Sequence, residues 1–228
     1  MFSAAFQLFL SRRHALQLGI GAALASTLAP VTAAHADDDI KEEDIFRFAF
    51  NLEYMEAEYY LRGITGKGIE KPDVGSKPGD VVGGKKVTFE TPALGLGGML
   101  FEDVGVTAYA GAATVLKNKE FLAAAAGILA VEAYHMGMAR ASLYRMGEKA
   151  WKAANAICGA RDKIDGPGDK AQGIYVDGKA NFIPSTPDAI GFTRTPQEVL
   201  RIVYRTDQSG VSKGGFYPNG MNGALKST

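Results

Sequence analysis

The stretch GILAVEAYHMGMARASLY, Gly127 to Tyr144, decides the fold. Its apolar residues recur every three or four positions, the period of a helix. Glu132 and His135 therefore share one face with Ile128, Leu129, Met136 and Ala139. Working outward, the spacing predicts a helix from Lys119 to Met146, with Asn118 as its N-cap and Gly147 as its stop. The run before it, Met99 to Leu116, reads as a second helix. The link Lys117-Asn118-Lys119 is so short that the two must be antiparallel neighbours. Further upstream, DIFRFAFNLEYMEAEYYL, Asp44 to Leu61, reads as another long helix, with an acidic run in front that suits a helix N-terminus. A shorter helix is expected from Glu148 to Arg161.

Each long helix carries a carboxylate on a largely apolar stripe. Glu53 and Glu56 lie in line with Phe46, Ala49 and Tyr60; Glu102 lies in line with Met99, Val106 and Tyr109. Buried carboxylates need arginine, hydrogen-bond donors or a cation, because an unpaired buried charge costs several kcal/mol. A tyrosine stands seven residues after both Glu53 and Glu102, so each phenol is set to reach a carboxylate on a neighbouring helix. Asp103 is turned about 100° from Glu102 and reads as solvated. Glu56 and Glu58 read most simply the same way, and Met136 and Met138 read as core filler. On spacing alone, a lone histidine beside a carboxylate more often makes a hydrogen bond than binds a metal.

The remaining sequence is irregular. Gly63 to Gly98 is crowded with Gly, Pro and Lys and shows no helical period, so a long loop is expected there. Residues 162–228 read as an irregular extension. Its one short helix, 196–204, is announced by Thr195-Pro196-Gln197-Glu198, an N-cap, a first-position proline and a capping-box glutamate. The turn-rich tail is expected to pack through Phe216 and Tyr217.

Residues 1–36 carry Arg12-Arg13, an apolar run from Leu18 to Leu28 and a small-residue site at Ala34-His35-Ala36. They read as a twin-arginine-type export signal and predict a periplasmic or secreted mature protein. Without them the even balance of 25 basic and 25 acidic residues turns slightly negative, which excludes a basic nucleic-acid surface. His135 is then the last histidine, and the lone Cys158 reads as a small buried residue. No later segment reads as long and charge-free enough to span a membrane, so the mature form is expected off it.

The motifs AFNLEYMEAEYYLRG, LFEDVGVTAYAGAA, GILAVEAYHMGMARASLY, FTRTPQEVLRIVY and GGFYPNGMNG resemble the ferritin-like superfamily, in particular its exported desiccation-related branch. That resemblance implies an all-α four-helix bundle around a carboxylate-bridged di-iron or di-manganese centre, with one Glu on each of two helices and Glu-x-x-His on the other two. Carried onto this chain, it makes Glu53, Glu102, Glu132 and His135 metal ligands, with Glu56 a secondary candidate. The second Glu-x-x-His helix has no counterpart, since the loop over 63–98 stands in its place. The expectation is thus an incomplete bundle of three long helices forming one domain over 37–228, with one iron or manganese position at most. It would be a stress-associated, non-catalytic protein. The alternative is an oxidase or peroxide-scavenging enzyme completed by a partner chain. The apolar stripe bared by the missing helix predicts a homo-oligomer.

Overall fold

A computed structural model of the chain describes residues 40–65, 68–69 and 92–228. The signal-like segment 1–36 and most of the Gly/Pro-rich stretch lie outside these residues. Regular structure is almost wholly helical: α1 spans Glu42–Thr65, α2 Pro92–Ala113, α3 Lys119–Arg145, α4 Glu148–Asp162 and α5 Pro196–Tyr204. A two-residue antiparallel pair, β1 (Tyr175–Val176) with β2 (Lys179–Ala180), is the only sheet among the described residues. The fold is all-α.

Local chemistry explains the helix ends. The Asn118 side chain accepts from the amides of Glu120 and Phe121 and so caps α3. At α5, Thr195 and Glu198 form the reciprocal capping box around Pro196. The loop expected over 63–98 is shorter at both ends. Helix α1 runs on to Thr65, and α2 begins at Pro92, so the glycines before Met99 are helical. Helix propensity alone argues against Gly95, Gly97 and Gly98 there. Tertiary packing explains two of them: a Cβ at Gly97 would strike the Tyr59 hydroxyl, and one at Gly98 would crowd that of Tyr60. The glycines let α1 and α2 approach closely.

Helix α2 is the centre of the bundle. Glu53 and Tyr60 of α1 face Tyr109 and Glu102 of α2 in reverse order, so these helices are antiparallel. The short turn after Ala113 makes α3 antiparallel to α2 as well, and α1 and α3 therefore run parallel. They meet near their starts, where the Phe46 and Phe121 rings lie 5.1 Å apart. One side of α1 and α2 is covered by α5 and the tail, which bury Leu200, Val203, Tyr217 and Met221 against Phe48, Leu52, Met55 and Phe101. The Tyr217 hydroxyl donates to the Asn51 carbonyl at 2.6 Å, pinning the tail to α1.

The outer face of α3 has no such cover. Ala123, Gly127, Val131, Tyr134 and Met138 follow one another along it and are all exposed. Met138, expected in the core, is 64% exposed, whereas Met136 is buried. By length and composition α3 is also apolar enough to cross a membrane, contrary to the sequence expectation, because Glu132 is the one charged side chain between Phe121 and Ala139. Its inner face nevertheless buries Glu132, and Arg140 against Asp103.

Asp103 is not solvated. It is 4% exposed and receives two hydrogen bonds from Arg140, at 2.8 and 2.6 Å, and one from Arg161 at 2.5 Å. Burial alone would push its carboxyl up, but the Arg161 and Arg140 guanidiniums outweigh this and hold it below its ordinary range. Arg140 also donates to the carbonyls of Gln172, Gly173 and Asn181, tying the irregular segment to α2 and α3. Replacing one partner of such a pair strands the other charge. Arg140→Met is therefore expected to lower unfolding free energy by about 3–5 kcal/mol, measured by urea denaturation. A loss under about 1 kcal/mol would show that the network is not a structural clamp.

Candidate metal centre

The reciprocal tyrosines position the first two carboxylates. The Tyr60 hydroxyl donates to Glu102 Oε1 at 2.5 Å, and the Tyr109 hydroxyl donates to Glu53 Oε1 at 2.7 Å. The spacing of seven residues, read in opposite directions on antiparallel helices, makes both bonds at once. Burial, then the adjacent Glu102 charge, raises the Tyr60 phenol; burial and Glu53 do the same for Tyr109, so both remain protonated donors. Helix α3 adds the third carboxylate and the histidine, with His135 Nδ1 3.1 Å from Glu102 Oε2.

All four residues singled out in the sequence, Glu53, Glu102, Glu132 and His135, thus line one cleft of about 450 Å³ between the three helices. Glu56 lines it too. The spacing left Glu56 readable as solvated, while the resemblance made it a secondary ligand candidate; it is 8% exposed. The available signal was its place one turn from Glu53 on the same face. Glu58 is also turned inward, and it is satisfied by Arg62 and the Ile69 amide.

These side chains offer two sets of three ligands. Within Glu102, Glu132 and His135, one donor atom from each lies within 4.8 Å of the others; the same holds for Glu53, Glu56 and Glu132. Glu53 therefore falls with Glu56 and not with the histidine. Glu132 belongs to both sets and is 3% exposed, and its Oε2 has no hydrogen-bond partner. Space for that oxygen exists because residue 105 is glycine: a Cβ there would run into it.

No guanidinium neutralises the group. Among the described residues the buried arginines are committed elsewhere, Arg140 and Arg161 to Asp103, and Arg194 to Asp165. Burial pushes the Glu132 carboxyl up to about 9, helped by the charges of Glu102 and Glu53. Glu56 is raised well above its ordinary value by burial and by its acidic neighbours. Glu102 is also raised by burial, against the opposing pull of Tyr60 and His135.

Residues 87–145, which hold α2, α3 and the first of these ligand sets, match the family model described as a ferritin-like domain. This match supports membership of the ferritin-like superfamily. A relative, the ferritin-like catalase Nec2 of Nesocodon mauritianus, is 24% identical over 82% of this chain and 85% of its own length. That alignment runs over 270 positions, more than the 228 residues here, so the relative has residues that this chain lacks. No solved structure matches significantly.

The donor set of this ferritin-like domain fits a cation: carboxylates with one imidazole suit iron or manganese, and the orphaned Glu132 oxygen is a buried acceptor with nothing to accept from. Without a cation, burial and the neighbouring charges of Glu102 and Glu53 favour the protonated form of Glu132. The folded Glu132 then keeps a proton that the unfolded chain releases above about its ordinary 4.5. Its contribution to stability is present below that value and lost as pH rises towards 9. Metal-free protein is expected to become steadily less stable from pH 5 to pH 9 in urea melts with a chelator present. Stability that rises over this range would contradict the assignment.

Proposed function

We propose that this chain is an exported, stress-associated ferritin-like protein that binds one iron or manganese ion through Glu102, Glu132 and His135. The observation that carries the reading is the unpartnered, buried Glu132 Oε2 in a carboxylate cluster from which every buried arginine is turned away. A metal bound there would supply one-electron redox chemistry towards peroxide or dioxygen. The chain's own residues do the rest. Tyr60 and Tyr109 hold Glu102 and Glu53 in place by donating to one oxygen of each. Glu102 in turn holds the His135 ring with Nδ1 towards the carboxylates. The cleft of about 450 Å³ admits a small molecule such as hydrogen peroxide to the carboxylates without any rearrangement.

A peroxide-removing activity is the second reading, and the ferritin-like catalase among its relatives favours it. Export to the periplasm or secretion is supported by Arg12-Arg13 and the apolar run that follows. A homo-oligomer is supported by the bare apolar faces of α1 and α3, where Phe50, Val131, Tyr134 and Met138 are exposed.

Metal analysis of protein purified from the periplasm, beside the double variant Glu132→Ala/His135→Ala, tests the reading. The native chain should carry iron or manganese and the variant at least tenfold less. Equal metal content in both would overturn the assignment. Oxygen release from added peroxide by the metal-loaded native chain, absent in the double variant, is the result expected of the second reading; no release by either would remove it.

A further inference from the structure

Nothing in its own chain explains Gly127. It stands in the interior of α3, where glycine costs stability relative to alanine, and a Cβ there would meet nothing within 4 Å among the described residues. It lies on the exposed stripe of α3 and also lines the carboxylate cleft. We propose that α3 packs antiparallel against α3 of a second copy of this chain, about a two-fold axis between Ala130 and Val131, so that Tyr134 of the partner subunit seats on Gly127 and closes the mouth of the cleft. This rests on the homo-oligomer reading above and deepens it, and it does not depend on a metal in the cleft.

The stripe complements itself in that one direction, first by size. Ala123, Ala124 and Gly127, in its first half, are small and exposed; Tyr134 and Met138, in its second half, are large and 74% and 64% exposed. Equal steps on either side of the axis bring Tyr134 to Gly127 and Met138 to Ala123, large against small. A parallel pair would instead set Tyr134 against Tyr134. Charge runs the same way. Glu120 lies seven residues before Gly127 and Arg145 seven after Met138, so they end the stripe at opposite poles. Both are exposed, and neither forms an ion pair among the described residues. Antiparallel pairing leaves Glu120 one turn, about 5.4 Å, from the partner's Arg145, a gap these long side chains span. Glu42, which accepts from the amides of Lys117 and Asn118, adds a second carboxylate at that end. Lys117 precedes the first helical residue, and Lys119 is turned about 100° from Glu120, so neither extends the stripe.

The cleft opens between this stripe and the exposed residues of α1, since Ala57, Gly127 and Val131 all line it and all face solvent. Phe50 and Leu61 extend the α1 side of the same surface. Two helix faces about 24 Å long and about 10 Å wide give about 480 Å² per chain, and so about 1,000 Å² in the pair, the lower end of a specific interface. Each copy thus supplies the other's site with a phenol and a thioether that cover its open wall, and water is excluded from the carboxylates only in the pair.

Sedimentation velocity of the full-length chain with a chelator present tests the proposal without reference to metal. The native chain should sediment as a dimer. Gly127→Leu, which fills the seat, and Glu120→Arg, which sets like charges together, should each raise the dimer Kd at least about tenfold. Glu120→Arg/Arg145→Glu, which restores the pairing in reverse, should dimerise as the native chain does. Val131→Cys, beside the axis, should cross-link to its own copy with a short bismaleimide, whereas the native chain, whose Cys158 is buried, should not. Carbethoxylation of His135, whose side chain is 47% exposed in the single chain, should be at least about tenfold faster in Gly127→Leu than in the native dimer, because pairing covers the cleft mouth. A native dimer indifferent to these substitutions would overturn this pairing and leave the homo-oligomer standing. A native monomer would overturn both. If that monomer cosedimented with anionic lipid vesicles, and Tyr134→Ser/Met138→Ser abolished it, the face would belong to a membrane surface instead.

Discussion

Four glutamates and one histidine share a cleft with no guanidinium, and the arrangement of the bundle follows from how that charge is handled. The chain is not short of buried arginine: Arg140, Arg161 and Arg194 are each at most 3% exposed. All three are directed to aspartates. Helix α2 divides the two regimes within a single step, because Glu102 and Asp103 are adjacent yet point about 100° apart. Asp103 is neutralised by two arginines and clamps the irregular segment to the bundle. Glu102 receives a phenol and an imidazole, which orient it without removing its charge. Protons or a cation must supply the remaining balance, since desolvated carboxylates of like charge raise one another's affinity for both.

The same cleft marks the side on which the described residues place no fourth helix. Helices α1 and α3 run parallel on α2, and a fourth helix would ordinarily fill the space beside them. The C-terminal region closes a different side: α5 and the tail cover Phe48, Leu52 and Met55, which restores a core for α1. The carboxylate side stays open, with Val131, Tyr134 and Met138 of α3 bare along its margin. The ferritin-like catalase that resembles this chain has additional residues across the alignment. On the described residues, Glu102 of α2 faces Glu132 and His135 of α3, together with the two glutamates of α1.

Much of this was legible in the sequence because it is local. Asn118, the Thr195–Glu198 capping box and the helical period of α3 depend on residues within a turn or two, and so does the shared face of Glu132 and His135. The paired Glu and Tyr spacings were also readable, since two antiparallel helices convert equal spacings into reciprocal hydrogen bonds. What was not legible depends on distant partners. Asp103 looked solvated because Arg140 and Arg161, which neutralise it, lie 37 and 58 residues downstream. The start of α2 was hidden by glycines whose reason is the tyrosines of α1. Glu56 read on spacing as solvated because its burial depends on the packing of α2 and α3 against α1.

The central claim is that Glu132 holds a proton until a cation replaces it. Proton release on Mn²⁺ binding tests it most directly, by calorimetry at pH 7 in buffers of different ionisation enthalpy. With Glu132 pushed up to about 9 in the metal-free chain, binding should release at least about one proton per chain at that pH. Binding that releases none would contradict the account, because the carboxylates would then have been ionised and open to the ion from the start.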